Sequence, residues 1–164
     1  MGLKPDSEGR MLQEIQKWDF ETLENIHNYI QWLFPLNEVS SANHRAPILT
    51  RQDIAEFKTS KIIKNNLIVS FEVMLSFYGF EVLKNDSNIS ISIANSFDVR
   101  SKNWLRRHNH NFLRLTRIIK CLKLSDLDNY AQALFNVLQT LFHSDFESII
   151  GKETYRYWHN ATNA

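Results

Sequence analysis

Residues 111–142, NFLRLTRIIKCLKLSDLDNYAQALFNVLQTLF, contain two amphipathic segments separated by a short polar link, and they decide the fold class. In both segments the apolar residues recur three and four positions apart, which places them on one face of an α-helix. Ser125, followed three residues later by Asp128, predicts the cap that opens the second helix. The apolar positions are Leu115, Ile118, Ile119 and Leu122 in the first helix, and Leu127, Ala131, Leu134, Phe135, Leu138 and Phe142 in the second. Such faces need other apolar helices to cover them, so the stretch predicts an all-α domain.

The same spacing recurs on both sides of this stretch. It predicts one helix over residues 19–34, a second of about 28 residues over 51–78, and a last amphipathic stretch over 146–158. Thr50 predicts the cap that starts the second of these helices, because its hydroxyl can accept a main-chain N–H. Gly79 predicts the end of that helix, since glycine accepts the left-handed backbone found at helix ends.

One segment follows a different period. Ile89, Ile91 and Ile93 alternate with polar residues, and the polar tetrapeptide NDSN at residues 85–88 predicts a turn before them. Phe80–Leu83 would be the other arm of the hairpin. We therefore predict a single compact all-α domain of about five to six helices, with one small β-hairpin around residues 80–93.

The composition favours one folded domain. Apolar residues make up 43% of the 164 residues and only seven are Gly or Pro, which argues against disorder. We predict a loose polar leader over residues 1–17, the domain over 18–159 and a short tail over 160–164. The single cysteine, Cys121, permits no internal disulfide. We find neither a signal peptide nor a long apolar run, so we expect a soluble, intracellular chain without a transmembrane segment.

The total charge of +1 conceals an uneven distribution. Residues 99–125 carry eight basic side chains and no acidic one, whereas both ends of the chain are acidic. On a helix, Arg107, Arg114 and Arg117 are predicted to approach one another. Arg106 and Lys120 are predicted to point elsewhere. Two interpretations stay open: acidic helices packed beside this basic segment neutralise it, or it binds an anion, a peptide carboxylate or nucleic acid.

Several strings of residues occur in an uncommon order. They are HNYIQWLFPL at 27–36, Asn43 with Ala46-Pro47 and Leu49-Thr50, then Phe77-Tyr78-Gly79, and finally His110-Asn111 with Leu113-Arg114-Leu115-Thr116-Arg117-Ile118. Across roughly residues 18–158 these motifs resemble the conserved domain of the opioid growth factor receptor family. The vertebrate receptors of that family also carry a repeat-bearing, disordered C-terminal extension, which lies outside the resemblance.

The resemblance implies a receptor domain that is unrelated to the seven-helix opioid receptors and binds the enkephalin pentapeptide. It implies a cytoplasmic, nuclear or perinuclear location, peripheral association with a membrane, and negative regulation of growth. No catalytic residue is implied by it.

The polar residues of these motifs predict a ligand pocket between the first helix, the loop after it and the stretch from His110 to Arg117. Arg114 and Arg117 would capture a carboxylate or another anion, the amide side chains would form hydrogen bonds, and two tryptophans would wall the pocket. The candidate residues are His27, Gln31, Trp32, Asn43, Trp104, His110, Asn111, Arg114 and Arg117. An alternative is that these polar side chains only satisfy main-chain groups inside the fold.

We therefore predict a non-catalytic binding module for a short peptide, a small anionic ligand or a protein partner. The alternatives are binding of nucleic acid or a phosphate ligand through residues 99–125, and an enzyme that uses the His/Asn/Arg pocket. The near-neutral total charge disfavours nucleic acid. We expect neither metal nor cofactor, because His108 and His110 would diverge on a helix and four glycines make no phosphate loop.

Overall fold

The computed structural model describes residues 4–85 and 88–163. Within these residues the chain forms ten helices, six of them eight residues or longer, and a two-stranded sheet. The elements are α1 (Leu12–Ile15), α2 (Phe20–Asn25), α3 (Ile30–Leu33), α4 (Arg51–Thr59), α5 (Lys61–Tyr78), β1 (Phe80–Asn85), β2 (Asn88–Ile93), α6 (Phe97–Trp104), α7 (Asn111–Leu124), α8 (Asp128–Phe142), α9 (Glu147–Ile150) and α10 (Lys152–Ala161). The predicted compact helical fold with a small hairpin is confirmed.

The hairpin is antiparallel, with Phe80 opposite Ile93 and Asn85 opposite Asn88. The turn predicted at residues 85–88 includes residues 86 and 87, which lie outside the described residues. A two-stranded sheet is marginal by itself, so it depends on packing against helices. Strand β1 lies against α5, and β2 lies against α8.

The predicted helix over residues 19–34 is wrong in its continuity. Asp19 caps α2 by accepting the N–H of Thr22, but the chain leaves the helix at Ile26, where the backbone is extended. The cause is a tertiary contact. The Arg114 guanidinium on α7 donates to the main-chain oxygens of Leu23 at 2.9 Å and Ile26 at 3.0 Å, which a continuous helix would have used internally.

The predicted 28-residue helix is also two helices. Ser60 has an extended backbone (φ −79°, ψ 113°), ends α4 and caps α5 through its hydroxyl. The predicted ends are confirmed: Thr50 caps α4, and Gly79 ends α5 with φ +84°. A Cβ at Gly79 would lie 2.7 Å from Cα of Phe97, so this position requires glycine for space as well as for conformation.

The predicted cap at Ser125 is wrong. Helix α8 begins after Leu127, and Ser125 is buried with its hydroxyl donating to the main-chain oxygen of Cys121 at 2.8 Å. A serine hydroxyl between two helices can accept an N–H at the start of the second helix or donate to a main-chain oxygen at the end of the first. Here the Ser125 hydroxyl donates to the end of α7. Helices α7 and α8 otherwise follow the predicted periodicity.

Two tryptophans connect α7 to the rest of the core. The Trp104 indole N–H donates to the main-chain oxygen of Tyr78 at 3.0 Å, and its ring lies edge-on to Phe112. The Trp158 indole N–H donates to the main-chain oxygen of Phe112 at 3.1 Å. These contacts hold α10 and the end of α5 against the first turn of α7.

The two ends of the chain are packed more closely than expected. In the described part of the leader, residues 4–17, α1 buries Leu12 and Ile15, and Arg10 forms an ion pair with Asp6 at 2.6 Å. Helix α10 continues to Ala161, whose side chain is buried. Among the described residues, no helix combines the length and the apolar character needed to cross a membrane.

Candidate functional site

A groove of about 490 Å³ lies between the segment 36–42 and α7, and we call it the α7 groove. Five of the nine predicted residues line it: His27, Gln31, His110, Arg114 and Arg117. His110 stands at the start of α7, with Arg114 and Arg117 four and seven residues later, so all three lie on one side of the helix. The opposite wall comes from the turn that contains His27, from α3 and from the segment after it.

Arg114 lines the groove but is committed to the protein. Its side chain is only 5% exposed. Nη1 donates to the oxygens of Leu23 and Asn111 at 2.9 and 3.2 Å, and Nη2 donates to the oxygen of Ile26 at 3.0 Å. Glu24 lies 4.0 Å from Nη1. The guanidinium therefore joins α7 to the turn between α2 and α3, and these acceptors leave it little capacity for a ligand.

Arg117 is different. Its Nη1 donates to the main-chain oxygen of Phe34 at 3.2 Å, and within the described residues its guanidinium has no further hydrogen bond and no ion pair. The side chain is half-buried, and this burial lowers the pKa of Arg117, partly opposed by Cys121 and Glu38. A half-buried cation with spare donors is suited to bidentate contact with a carboxylate.

Lys120, one turn beyond Arg117, also lines the groove. Its ammonium group lies 2.8 Å from the Glu38 carboxylate, which comes from the opposite wall. The prediction that Lys120 points away from Arg117 is wrong, because residues three positions apart on a helix lie on the same face. Arg107, predicted to join Arg114 and Arg117, lies exposed in the turn before α7.

The two imidazoles meet at the other end of the groove. The rings of His27 and His110 are perpendicular, with centroids 4.8 Å apart. His110 Nε2 lies 3.3 Å from Asn111 Nδ2 and 3.7 Å from the Glu24 carboxylate. Burial is the main cause that lowers the pKa of His110. The positive charge of Arg114 and the neighbouring His27 also lower this pKa, and the Glu24 carboxylate raises it. The lowered pKa favours the neutral form of His110.

Gln31 lies beneath the segment 36–42 at the groove. Its side chain is 3% exposed, and its Nε2 lies 3.4 Å from the Ser40 hydroxyl. Its Oε1 is buried and accepts no hydrogen bond from any described residue. An acceptor of this kind is a candidate partner for a ligand N–H or a water molecule.

Four predicted residues lie away from the α7 groove. Trp104 is in the core, where its ring packs on Tyr78, so it cannot wall the groove. Asn111 is fully buried and its Nδ2 donates to Glu24 at 3.0 Å. Asn43 donates to the main-chain oxygen of Asn28 at 3.5 Å and accepts from the N–H of Arg45. Trp32 lines a second groove. The two asparagines satisfy groups inside the fold, as the alternative interpretation expected.

The groove also has apolar rims that were not predicted from the sequence. Val39, Leu113 and Tyr157 are 65%, 68% and 46% exposed, and each lines the groove. Ile30 and Leu36 lie deeper and are buried. The exposure of Leu113 could have been predicted from the sequence, because it is a large apolar residue among the polar positions of an amphipathic helix. The positions of Val39 and Tyr157 could not have been predicted, because they depend on how segments distant in the chain pack together.

The acidic ends of the chain neutralise the basic segment only in part. Glu24 and Glu38, from the first 40 residues, contact Arg114 and Lys120, and Asp128 forms an ion pair with Lys123. In contrast, Lys102, Arg106 and Arg107 are exposed and form no ion pair with any described residue. In the described chain, no three His, Cys, Asp or Glu side chains are grouped as metal ligands would be.

Comparison with known proteins gives one consistent result. A family model described as "Opioid growth factor receptor (OGFr) conserved region" matches residues 3–164. The opioid growth factor receptor of Rattus norvegicus is 38% identical over 146 residues, which cover 86% of this chain and 25% of that protein. The human receptor is 34% identical over 139 residues, covering 82% and 20%. The opioid growth factor receptor-like protein 1 of Xenopus tropicalis is 41% identical over 134 residues, covering 80% and 25%.

No solved structure matches the chain. The chain spans between a fifth and a quarter of the length of these curated relatives. The family model, in contrast, covers nearly every residue of the chain, including all the residues of the α7 groove. The chain belongs to the opioid growth factor receptor family.

Proposed function

We propose that this domain is a non-catalytic peptide-binding module, and that the α7 groove holds the carboxylate of a short peptide between Arg117 and Lys120. The observation that carries the proposal is the uncommitted guanidinium of Arg117, half-buried in the groove with one hydrogen bond to a described residue. Arginine in such a setting binds carboxylates with two parallel hydrogen bonds.

The apolar rims support a peptide rather than a bare anion. Leu113 and Tyr157 are exposed at the edge of a groove whose deeper wall includes Ile30 and Leu36. Binding sites typically combine apolar walls with a few convergent polar groups. An apolar side chain next to the bound carboxylate would cover these rims.

The names of the relatives support a peptide ligand as well, since they are called receptors for the opioid growth factor. The enkephalin pentapeptide is therefore the natural first probe. An intracellular, cytoplasmic or nuclear location belongs to the same proposal, and fluorescence microscopy of the tagged chain checks it.

The experiment is calorimetric titration with the enkephalin pentapeptide as the free acid and as the C-terminal amide. We expect the acid to bind at least about tenfold more tightly, a difference of about 1.4 kcal/mol. Arg117→Gln should abolish this preference. The matched control is Arg106→Gln, which removes the same charge from an exposed side chain outside the groove.

Equal affinity for the acid and the amide would contradict the carboxylate contact. Absence of heat with the acid at millimolar concentration would contradict peptide binding in the α7 groove. Loss of affinity in Arg106→Gln equal to that in Arg117→Gln would show that the total charge, and not the groove, attracts the peptide.

Nucleic acid is the second candidate. It is favoured by the exposed side chains of Lys102, Arg106 and Arg107, which form no ion pair with described residues. If the three contact phosphates of a DNA duplex, the logarithm of the binding constant should fall with log salt at a slope of about −2.7. Fluorescence anisotropy with a labelled duplex measures this slope. No binding at low salt would dismiss the candidate.

We propose no reaction. In the described part of the chain, neither His27 nor His110 forms a hydrogen bond with a hydroxyl or thiol group that could act as a nucleophile. The Cys121 thiol is fully buried, and burial raises its pKa to about 12. A thiol in this state is not reactive.

A further inference from the structure

A second groove, of about 500 Å³, lies between α1, α3 and α4, and we call it the Trp32 groove. Its apolar lining includes Leu12, Ile15, Pro35 and Phe57. Helix α3 has only four residues, and two consecutive ones face different grooves, with Gln31 at the α7 groove and Trp32 here. The two grooves are therefore separate surfaces.

Trp32 carries an unused hydrogen-bond donor. Its Nε1 is buried and has no acceptor among the described residues. The buried indoles of Trp104 and Trp158 show the usual arrangement, since each donates to a main-chain oxygen at 3.0 or 3.1 Å. A buried N–H without an acceptor costs about 1–3 kcal/mol. A ligand carbonyl oxygen that accepted this N–H would remove the cost.

The charged side chains at the Trp32 groove are predominantly acidic. Asp6 and Arg10 form an ion pair with each other. Asp53 and Glu56 are three residues apart on α4 and so share a face, and the Glu56 carboxylate forms no hydrogen bond or ion pair with any described residue. Lys4 is the one cation of the described lining without an ion-pair partner. Two carboxylates against one ammonium group favour a basic ligand.

An extended peptide matches these features. A polyproline II segment has no internal hydrogen bonds, so its carbonyl oxygens are available as acceptors. Grooves lined by aromatic residues commonly bind such segments, and proline gives a preformed, apolar shape. The apolar lining of the Trp32 groove suits the proline rings, and the carboxylates suit a neighbouring lysine or arginine.

We propose that the Trp32 groove binds an extended, proline-containing segment of a partner protein that carries a basic residue. A main-chain carbonyl of the segment accepts the Trp32 indole N–H, a proline packs on Leu12 and Phe57, and the basic side chain pairs with Glu56. This site does not depend on the α7 groove or on the ligand proposed for it.

The test is a titration followed by the ¹⁵N–¹H signals of the tryptophan indoles. The probe is the peptide acetyl-Pro-Leu-Pro-Pro-Arg-amide, whose blocked C-terminus removes the carboxylate that the α7 groove would bind. Comparison with Trp32→Phe identifies the Trp32 signal. We expect this signal to move downfield and to saturate with a Kd below about 1 mM, while the signals of Trp104 and Trp158 stay in place.

Two controls test the role of charge. The peptide that ends in glutamate instead of arginine should bind at least about fivefold more weakly. Glu56→Gln should weaken binding of the arginine peptide by a similar factor, and Glu147→Gln, an exposed carboxylate on α9, should leave it unchanged. A Trp32 signal that does not move at 5 mM peptide overturns the proposal. Equal Kd values for the two peptides overturn it as well, because the groove would then not distinguish a basic ligand.

Discussion

The first prediction concerns Arg114, because its contacts in the structure stabilise the fold and do not serve ligand binding. Its guanidinium donates to two main-chain oxygens outside α7, those of Leu23 and Ile26, at 2.9 and 3.0 Å. It also lies 5.2 Å from the ring centroid of Tyr29. We expect Arg114→Ala to destabilise the domain strongly and Arg114→Lys to recover part of the loss.

The magnitude follows from these contacts. Hydrogen bonds from a charged donor contribute about 1.5–3 kcal/mol each, and a desolvated cation–π contact adds about 2 kcal/mol. Freeing the long side chain returns about 2 kcal/mol of conformational entropy. The Leu23 oxygen keeps the Tyr29 hydroxyl as a donor, whereas the Ile26 oxygen loses its bond. The expected net loss in the free energy of unfolding is about 3 kcal/mol.

Urea unfolding followed by circular dichroism measures this loss. With a slope of about 2 kcal/mol per molar urea, the midpoint should fall by roughly 1.5 M. The control is Arg106→Ala, whose exposed side chain should change the midpoint by less than about 0.3 M. A shift below about 0.5 M for Arg114→Ala at an unchanged slope would refute the reasoning, since the two main-chain bonds would then contribute little.

Three further predictions concern the groove, a helix end and the imidazole pair. Glu38→Gln should raise affinity for the enkephalin acid about two- to fivefold, because it frees an ammonium group from an exposed ion pair; in calorimetry Glu72→Gln, from a similar pair elsewhere, should have no effect. Gly79→Ala should cost about 3 kcal/mol in urea unfolding, against about 1 kcal/mol for Gly9→Ala, where a Cβ meets open space; equal losses would contradict the steric argument. The lowered pKa of His110 means that its contribution to stability is present above the unfolded pKa of 6.5 and is lost as pH falls through the folded value. His110→Gln should therefore flatten the fall in unfolding free energy below pH 6.5, and an unchanged profile would exclude this group as its source.

The features that were predictable from the sequence are those set by local interactions. The cap at Thr50, the end of α5 at Gly79 and the alternation around Ile89 and Ile91 in β2 depend on residues within a few positions of one another. The breaks at Ile26 and Ser60 were missed. The first depends on a guanidinium 88 positions away in the chain. The second leaves the apolar period intact on both sides, so the pattern does not reveal it.

The candidate site was predictable in its location but not in the role of each residue. His110, Arg114 and Arg117 line the α7 groove because their spacing places them on one side of α7, whereas His27 reaches it from the turn after α2 and Gln31 from α3. The spacing of residues does not reveal how many of their hydrogen-bond donors are bonded to other groups within the protein. It made Arg114 and Arg117 look equivalent, although one is committed to main-chain oxygens and the other has spare donors. Tertiary contacts alone make that distinction.

The indole hydrogen bonds of Trp104 and Trp158 give the domain two internal reporters of local opening. They join positions 26 and 46 residues apart in the chain and end on different elements, α5 and α7. Each indole proton exchanges with deuterium only when its own contact opens, and opening energies differ between the parts of a fold. The exchange rate at Trp158 therefore measures detachment of the C-terminal helix, and the rate at Trp104 measures separation of α6 from the end of α5. The two rates become equal only where both contacts open in the same event.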